Sequence, residues 1–544
     1  MERYGESGIG EFDTYQQEAG SVKVIVSLRF WISAAILVLA FVLRVVWLDI
    51  KPAHFDEGVN GWFVDEMTRQ GFYHYDPTNF HGPLHFYALF LAQTLFGRSI
   101  VVLRMPIVLL STACVGLTLA FRRYFDERVC QIAAAAMAVS PAMVFYGRYA
   151  IHETWMLFFL LLTSWGGIGL WRHGRRQYLW TAALGATGLI LTKETYIIHF
   201  VAFLLAVPCL LLYEKFVPSG EWPYNGTKFS TNDLVSVATV CFGLILFFYT
   251  GGFLDWPGLP GLWETFNTWV RTGVEHKSGH EKAWSYWLEL VGQYEWPAAL
   301  GMVGGLWLLF PRVPRAARYL AIYGLGAFIA YSIVPYKTPW CIISLIWPFY
   351  FVFGFIVLRA ALWIDTWTIG VGAALVWLGS FGVSWELNFH DYTDETEPYV
   401  YVQTLNDINE LLDPLRKITA LNPVNYYLRG HIILEEEYPF TWLLGDFPHI
   451  DYPSVEDLPE TIDADFLLVD DSHIEKIEPL LRLEYYKTPL RVRGSSESSA
   501  TLYLCRQTFA GLVPDNYPIF KPGDVSAPRE SAPKEGAPKT TDSP

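Results

Sequence analysis

Long apolar runs recur along the first 385 residues and alternate with short polar segments. Because a helix needs about 20 mainly apolar residues to cross the hydrocarbon core of a bilayer, each run predicts a transmembrane helix. The runs lie at residues 25–47, 100–121, 129–146, 153–171, 178–192, 196–213, 232–250, 295–311, 317–334, 339–358 and 367–385. The pattern therefore predicts a multi-pass α-helical membrane protein with about 11 transmembrane helices.

After residue 385 the apolar runs give way to short segments of mixed character. The segments YVYVQT, HIILEEE and ADFLLVDD predict strands, whereas NDINELLDPLRKITAL and HIEKIEPLLR have helical spacing. Residues 386–510 are therefore predicted to form a C-terminal α/β domain. Residues 511–544 are rich in Pro, Ala, Ser and charge, which predicts a disordered tail. Residues 1–24 carry no cleavage-site pattern, so we expect a cytoplasmic tail and a first span that is kept as an anchor.

Basic residues predict the orientation, because they favour cytoplasmic loops. Arginines fall on every second loop, in the groups Arg122, Arg123 and Arg128, then Arg172, Arg175 and Arg176, then Arg312, Arg315 and Arg318. The other loops, including residues 49–98 and 251–294, are then outside, and so is the C-terminal domain. The sequence thus predicts a protein of the cell (cytoplasmic or inner) membrane with a large extracytoplasmic surface.

Charge is concentrated in the C-terminal domain. The whole chain has a formal net charge of −15, and residues 386–510 alone hold 24 Asp or Glu against 9 Lys or Arg. The membrane part is therefore close to neutral, and nucleic acid is excluded as an expected partner. Membrane lipids are the expected surroundings of the apolar runs.

Two adjacent carboxylates, Asp56 and Glu57, follow the first apolar run by a few residues. A carboxylate within hydrogen-bond reach of a hydroxyl can act as a general base, so the pair predicts an active site at the outer surface. Other ionisable groups stand at or near membrane depth, where each costs about 2.5–3.5 kcal/mol and often marks function. These groups are Arg104, Arg148, Glu153, Lys193, Glu194 and Lys337. The alternative is that some of them only pair with each other or extend to the interface.

Histidines occur in two pairs with helical i, i+4 spacing, His81 with His85 and His276 with His280. Imidazole and carboxylate together can bind a divalent cation such as zinc. The alternative is that these side chains only make hydrogen bonds in their loops. No cofactor is certain from the sequence, and a divalent cation is the one candidate.

Several short motifs occur in a characteristic order. They are DEGVNGWFVDEM, YDPTNFHGPLHFY, LRMP, SPAMVFYGRYAIHETW, LTKETY and VPYKTPW. In this order and in these loops the chain resembles the family 39 glycosyltransferases of the GT-C superfamily, which are protein O-mannosyltransferase-like. The resemblance is strongest to the flippase-activity-associated membrane proteins and covers most of the first 340 residues.

This resemblance implies a mannosyltransferase-like enzyme whose sugar donor is linked to a polyprenyl phosphate. The acceptor would be a hydroxyl of a glycan, lipid or protein at the extracytoplasmic face. Asp56 would be the general base of an inverting transfer, and Glu57 would orient Asp56 or the acceptor. Glu153 matches a second acidic position of the family, although the IHET sequence departs from the commoner pattern.

The departing phosphate needs positive charge where its negative charge grows. By resemblance Lys337 is the first candidate, followed by Arg148, Lys193 and Arg104. His81 aligns with a metal-binding Glu of the related aminoarabinose transferase, and His276 or His280 could supply a second ligand.

Two other functions remain open at this stage. A transporter or flippase-associated component of glycan export would lack transferase activity, but it is expected to show internal repeats and polar residues near the midplane. A scaffold could use the acidic domain to bind a partner. The charges collect at the outer ends of the apolar runs, which favours the enzyme.

Overall fold

The computed structural model describes residues 28–79, 81–219, 226–274, 279–305, 313–456, 458–494, 499–514 and 516–524. These residues form two compact units. The first comprises the chain up to Lys51 together with Asn60–Tyr401, and the second comprises Pro52–Val59 together with the chain from Val402.

The first unit is helical throughout. Its helices are α1 (Leu28–Val45), α2 (Phe55–Gln70, whose first residues belong to the second unit), α3 (Leu84–Phe96), α4 (Ile100–Ala120), α5 (Glu127–Val139), α6 (Pro141–Phe145), α7 (Glu153–His173), α8 (Arg176–Ile190), α9 (Tyr196–Glu214), α10 (Thr231–Tyr249), α11 (Gly258–Val274), α12 (Tyr286–Tyr294), α13 (Trp296–Gly304), α14 (Arg315–Ile333), α15 (Ile342–Ala360) and α16 (Thr366–Phe389).

Eight helices of the described chain are long and apolar enough to cross a membrane, namely α1, α4, α7, α9, α10, α14, α15 and α16. A ninth span results if α5 and the segment Pro141–Arg148 are counted together across a bend of 61°. The predicted multi-pass membrane protein is confirmed, and the described residues contain eight or nine spans where the sequence predicts about 11 in the whole chain. Helix α8 has only 15 residues, and of the run predicted at 295–311 the structure describes only α13, since the rest continues into residues outside the description.

Small residues allow the closest helix contacts in this unit. A Cβ atom on Gly166 of α7 would lie 2.4 Å from the backbone nitrogen of Ala182 on α8, and one on Gly185 would lie 2.5 Å from Thr163 Oγ1. Glycine at such positions lets two helix backbones approach each other, which is a common basis of helix association in membranes. Helix α15 lies deepest, since residues 342–354 are all buried.

The loops predicted outside the membrane contain helices of their own. Helices α2 and α3 lie in the segment 49–98, and α11 and α12 lie in the segment 251–294. The pattern of apolar runs predicts no helix in these segments.

The second unit contains a six-stranded mixed sheet. Its strands are β1 (Arg429–Ile433), β2 (His449–Asp451), β3 (Phe466–Asp470), β4 (Tyr485–Arg491), β5 (Ser499–Cys505) and β6 (Ile519–Phe520), in the order β2-β1-β3-β5-β4-β6. Strand β1 is parallel to β2 and β3, and the remaining pairs are antiparallel. Its helices are α17 (Asn409–Leu421), α18 (Phe440–Leu443), α19 (Ile474–Ile477) and α20 (Arg506–Phe509). The predicted C-terminal α/β fold is confirmed.

One strand prediction is wrong. Residues 399–404, YVYVQT, lie outside the strands of the sheet, and Val402 has a positive φ of 54°. The alternation of aromatic and aliphatic residues there comes from packing, since Tyr399 and Val400 belong to the core of the helical unit.

Candidate functional site

Asp56 and Glu57 lie in the first turn of α2, which begins directly after His54. The Glu57 carboxylate accepts a hydrogen bond of 2.9 Å from the backbone nitrogen of His54, and His54 Nδ1 accepts one of 3.1 Å from the backbone nitrogen of Asp56. These reciprocal bonds satisfy amide groups that a helix start leaves without partners, in the manner of a capping box. His54 and Glu57 therefore fix the start of the helix that carries Asp56.

The two carboxylates differ in accessibility. The Asp56 side chain is 37% exposed, whereas Glu57 is fully buried. His54 Nδ1 lies 4.0 Å from Asp56 Oδ2, but its lone pair already accepts the amide hydrogen of Asp56. Asp56 is thus the member of the pair that another molecule can reach, and Glu57 is the structural member.

In the first unit, the loop before α3 lies against the turn between α8 and α9. The backbone nitrogen of Gly82 donates to the Thr192 carbonyl at 3.0 Å, and His81 forms a β-bridge with Lys193. A Cβ atom on Gly82 would lie 2.3 Å from the Leu191 carbonyl oxygen, so only glycine fits without a shift. This contact explains the glycine of the HGP motif and joins it to the TKE motif.

Four ionisable side chains meet at this contact. His81 Nδ1 lies 3.3 Å from Glu194 Oε2, and Lys193 Nζ donates to Glu153 Oε1. Lys193, Glu153 and Glu194 are all buried. Burial lowers the pKa of Lys193, but the carboxylates of Glu153 beside it and Glu194 nearby outweigh this and raise that pKa well above its usual value. The structure thus brings together three of the predicted site residues, His81, Glu153 and Lys193.

A histidine that the sequence reading did not single out completes this cluster. The ring of His152 lies between those of His81 and His85, with centroid distances of 4.5 and 4.3 Å. Burial, His85, His81 and Lys193 together hold the pKa of His152 well below its usual value, so the ring is neutral. Within the described chain its Nε2 is buried and has no hydrogen-bond partner. In the sequence, the signal that points to His152 is its position directly before Glu153 in the IHET motif.

Arg104 and Arg148 are fully buried and hold the chain after α1. Arg148 donates to the carbonyls of Leu43, Val46 and Trp47 at 3.1, 2.7 and 2.7 Å, and Arg104 donates to those of Leu48 and Lys51 at 2.7 and 2.9 Å. The last carbonyls of a helix lack partners within the helix and carry partial negative charge, which positive side chains stabilise. Both arginines therefore serve the end of the first span in this structure.

Lys337 lies in an extended turn before α15. Its Nζ donates to the carbonyls of Lys282, at 3.2 Å, and Val334. Burial lowers the pKa of Lys337. These two carbonyl groups are neutral, so they do not cancel the charge of Lys337 as Glu153 cancels that of Lys193.

The histidines proposed for a metal do not assemble into a site in the part of the chain that can be described. His280 Nδ1 lies 2.6 Å from the hydroxyl of Tyr401, and His81 faces Glu194. His276 lies outside the described residues. Among those residues, no group of three or more His, Cys, Asp or Glu side chains has the geometry to hold a metal ion. His81 and His280, the two candidates that the structure describes, are therefore not part of such a group.

Comparison with protein families gives a match to part of the chain. Residues 80–246 match the model of the dolichyl-phosphate-mannose-protein mannosyltransferase family. The matched segment contains His81, Arg104, Arg148, Glu153 and Lys193 and ends before Lys337. No curated protein matches the chain significantly.

Comparison with solved structures shows the fold. The chain is similar to ArnT from Cupriavidus metallidurans in the apo state, with a TM-score of 0.60, and to the same protein bound to undecaprenyl phosphate, with a TM-score of 0.56. In both cases the identity is 14%, and the match covers 89% of this chain and 98% of ArnT. Over 89% of its length, the chain therefore has a fold similar to that of ArnT.

Proposed function

We propose that this chain is a membrane glycosyltransferase of the GT-C superfamily and that it moves a sugar from a polyprenyl-phosphate donor to a hydroxyl acceptor. The transfer takes place at the extracytoplasmic face of the cell membrane and inverts the anomeric carbon. Asp56 is the general base that takes the proton of the acceptor hydroxyl, and polyprenyl phosphate is the leaving group.

The observation that carries this assignment is that Asp56 is accessible whereas Glu57 is buried and caps α2. An accessible carboxylate can approach a hydroxyl within hydrogen-bond distance, as general base catalysis requires. The buried Glu57 instead accepts the His54 backbone hydrogen and holds the start of α2. A catalytic group on the end of a capped helix is well positioned, which supports a base at residue 56 and a supporting role at residue 57.

Lys337 is the cation that we assign to the donor phosphate. Arg104 and Arg148 bind backbone carbonyls at and after the end of the first span, and Lys193 is neutralised by Glu153. Lys337 is buried as well, but the two carbonyls that its Nζ binds leave its positive charge uncancelled, so a phosphate group that displaced them would meet a full cation. Positive charge held in place at a leaving phosphate is a strong catalytic contribution.

An apolar groove between α9 and α14 supports the lipid part of the donor. It has a volume of about 590 Å³ and is lined almost entirely by exposed aliphatic residues, among them Ile197, Val201, Leu205, Leu325 and Ile329. The groove reaches Ile329 near the end of α14, and Lys337 follows the last residue of α14 by four positions. A prenyl chain in this groove would therefore have its phosphate end toward the turn that carries Lys337.

Donor turnover by purified protein tests the proposal. Labelled undecaprenyl-phosphate sugars would be supplied in lipid nanodiscs, and release of undecaprenyl phosphate would be followed for wild type and Asp56→Asn. We expect the variant to react roughly 10²–10⁴-fold more slowly than wild type, which is the usual contribution of a general base. Asp49→Asn is the matched control, because Asp49 is an exposed carboxylate seven residues earlier, and it should react like wild type. The proposal fails if wild type releases no undecaprenyl phosphate from any donor, or if Asp56→Asn reacts as fast as wild type.

A further inference from the structure

The segment that carries Asp56 and Glu57 belongs to the C-terminal unit, although almost 350 residues separate the two parts along the chain. Pro52–Val59 forms one compact unit with the chain from Val402 onward. Gln403, which is buried, donates from Nε2 to the Pro52 carbonyl at 3.2 Å. The C-terminal unit therefore contacts the predicted catalytic segment itself.

Phe55, the residue before Asp56, lies between two side chains of the C-terminal unit. Its ring meets that of Tyr438 edge to face, with a centroid distance of 5.5 Å and an angle of 77°. The guanidinium carbon of Arg493 lies 4.9 Å from the Phe55 ring centroid. Both arrangements are favourable, since an aromatic edge and a cation are each attracted to the negative face of a ring.

Gly58, the residue after Glu57, lies directly against Pro439. A Cβ atom on Gly58 would be 2.4 Å from Pro439 Cα and 2.7 Å from Pro439 Cβ. No side chain fits there without a movement of backbone. The two carboxylates are thus flanked on one side by Phe55 and on the other by Gly58, and both neighbours contact the C-terminal unit.

The contacting residues are tied to the core of that unit. Pro439 precedes Phe440, which is fully buried in the core beside Leu444. Arg493 follows Val492, which lies in the same core and accepts a hydrogen bond of 2.9 Å from the backbone of Leu405. Contacts made from a packed core cannot shift freely, so the segment is held at a defined position within this unit.

We propose that Tyr438, Pro439 and Arg493 are positioning residues that set the placement of the Asp56 carboxylate through Phe55 and Gly58. On this proposal the acidic C-terminal unit contributes to the geometry of the catalytic segment. Only the expected effect on catalysis rests on the proposed function. The positioning itself is a structural statement and can be measured without turnover.

The first measurement is backbone hydrogen exchange in the full-length protein, read from peptides that cover residues 52–62. Tyr438→Ala and Arg493→Gln should each raise exchange there by about tenfold, because contacts of this kind shift a local opening equilibrium by about that factor. Tyr438→Phe keeps the ring and should behave like wild type. Arg482→Gln is the matched control, since Arg482 is an exposed arginine of the same unit whose guanidinium also binds a carbonyl.

The second measurement separates kcat from KM for the donor. Tyr438→Ala, Arg493→Gln and Gly58→Ala should lower kcat at least about tenfold per folded molecule, because a displacement of about 1 Å at a reacting group can cost on the order of 100-fold. The KM for the donor should stay within about twofold of wild type, since these residues hold the base and not the donor. Tyr438→Phe should restore kcat.

The outcomes separate the two proposals. The positioning proposal is overturned if exchange over residues 52–62 stays at the wild-type rate in Tyr438→Ala and Arg493→Gln. It is also overturned if exchange rises while kcat per folded molecule stays that of wild type. If wild type turns over no donor, the proposed function fails, and the exchange measurement alone still decides whether the C-terminal unit holds the segment.

Discussion

His152 is a buried neutral histidine whose properties come entirely from its neighbours. Its ring lies close to those of His81 and His85, tilted by 50° and 57°, and near the cation of Lys193. Burial and nearby positive charge both disfavour the protonated ring, so His152 stays neutral in the folded protein. The unfolded chain has no such restriction and binds the proton with the usual pKa of about 6.5.

This difference predicts an acid-sensitive stability. Above about pH 6.5 the residue is neutral in both states, and its contribution to stability is complete. Below that pH only the unfolded state takes up the proton, so the free energy of unfolding should fall by up to about 1.4 kcal/mol per pH unit. In His152→Phe, which keeps an aromatic ring but cannot titrate, this part of the pH dependence should disappear.

Unfolding of the detergent-solubilised protein, followed by tryptophan fluorescence between pH 8 and pH 5, measures the effect. His390→Phe is the matched control, because His390 is an exposed histidine at the end of α16. A constant difference in unfolding free energy between wild type and His152→Phe over this range would contradict the neutral assignment.

Arg104 and Arg148 are buried cations whose partners depend on the fold. Position in or next to an apolar run marks Arg104 and Arg148 as unusual, because a buried cation must find partners. Which partners it finds is decided by the fold, and here these are carbonyls at the end of α1. A buried charge therefore identifies a constrained place in a sequence without identifying its role.

At the scale of elements, the contact between α7 and α8 depends on a single face of α7. Gly166 and Gly167 are neighbours in sequence, but only Gly166 faces α8. A Cβ atom on Gly166 would lie 2.4 Å from the Ala182 backbone, whereas one on Gly167 would meet nothing within 4 Å.

Alanine at these two positions should therefore have opposite effects. Gly166→Ala should separate the helices and lower the free energy of unfolding by about 1–3 kcal/mol, the usual cost of overpacking. Gly167→Ala should be neutral or stabilise slightly, because alanine favours the helix over glycine by up to about 1 kcal/mol. Thermal unfolding in detergent compares the two variants directly, and equal melting temperatures would contradict the proposed contact.

The bounds of two helices followed the predicted apolar runs closely. Helix α9 at Tyr196–Glu214 and α10 at Thr231–Tyr249 lie within about one residue of the predicted runs 196–213 and 232–250. Helices α2 and α3 went unrecognised, because α2 has few apolar residues and α3 is too short to cross a bilayer. Residues 399–404 were misread as a strand because their alternating pattern arises from packing against the helical core.

At the scale of the whole molecule, the side of the membrane on which each segment lies is a further prediction of the basic loops. Single cysteines at Lys476, which is exposed in the C-terminal unit, and at Arg175, which is exposed between α7 and α8, test it. In intact cells a membrane-impermeant maleimide should label Lys476→Cys, whereas Arg175→Cys should react only after the membrane is opened.

The parent chain, with its native cysteines, gives the background labelling. Reaction of Arg175→Cys in intact cells would reverse the orientation, and with it the proposed extracytoplasmic location of the reaction.

The amino-acid sequence by itself determined the membrane character, the positions of most spans, the acidic C-terminal α/β region and the pair Asp56-Glu57. These follow from properties of neighbouring residues, namely length, periodicity and charge, which a linear reading captures. Only the tertiary structure decided which motifs meet. Glu153, Lys193 and His81 come from separate loops, and the segment around Asp56 joins a unit that begins at Val402. Such contacts depend on how packed elements bring distant residues together, and no local pattern records that.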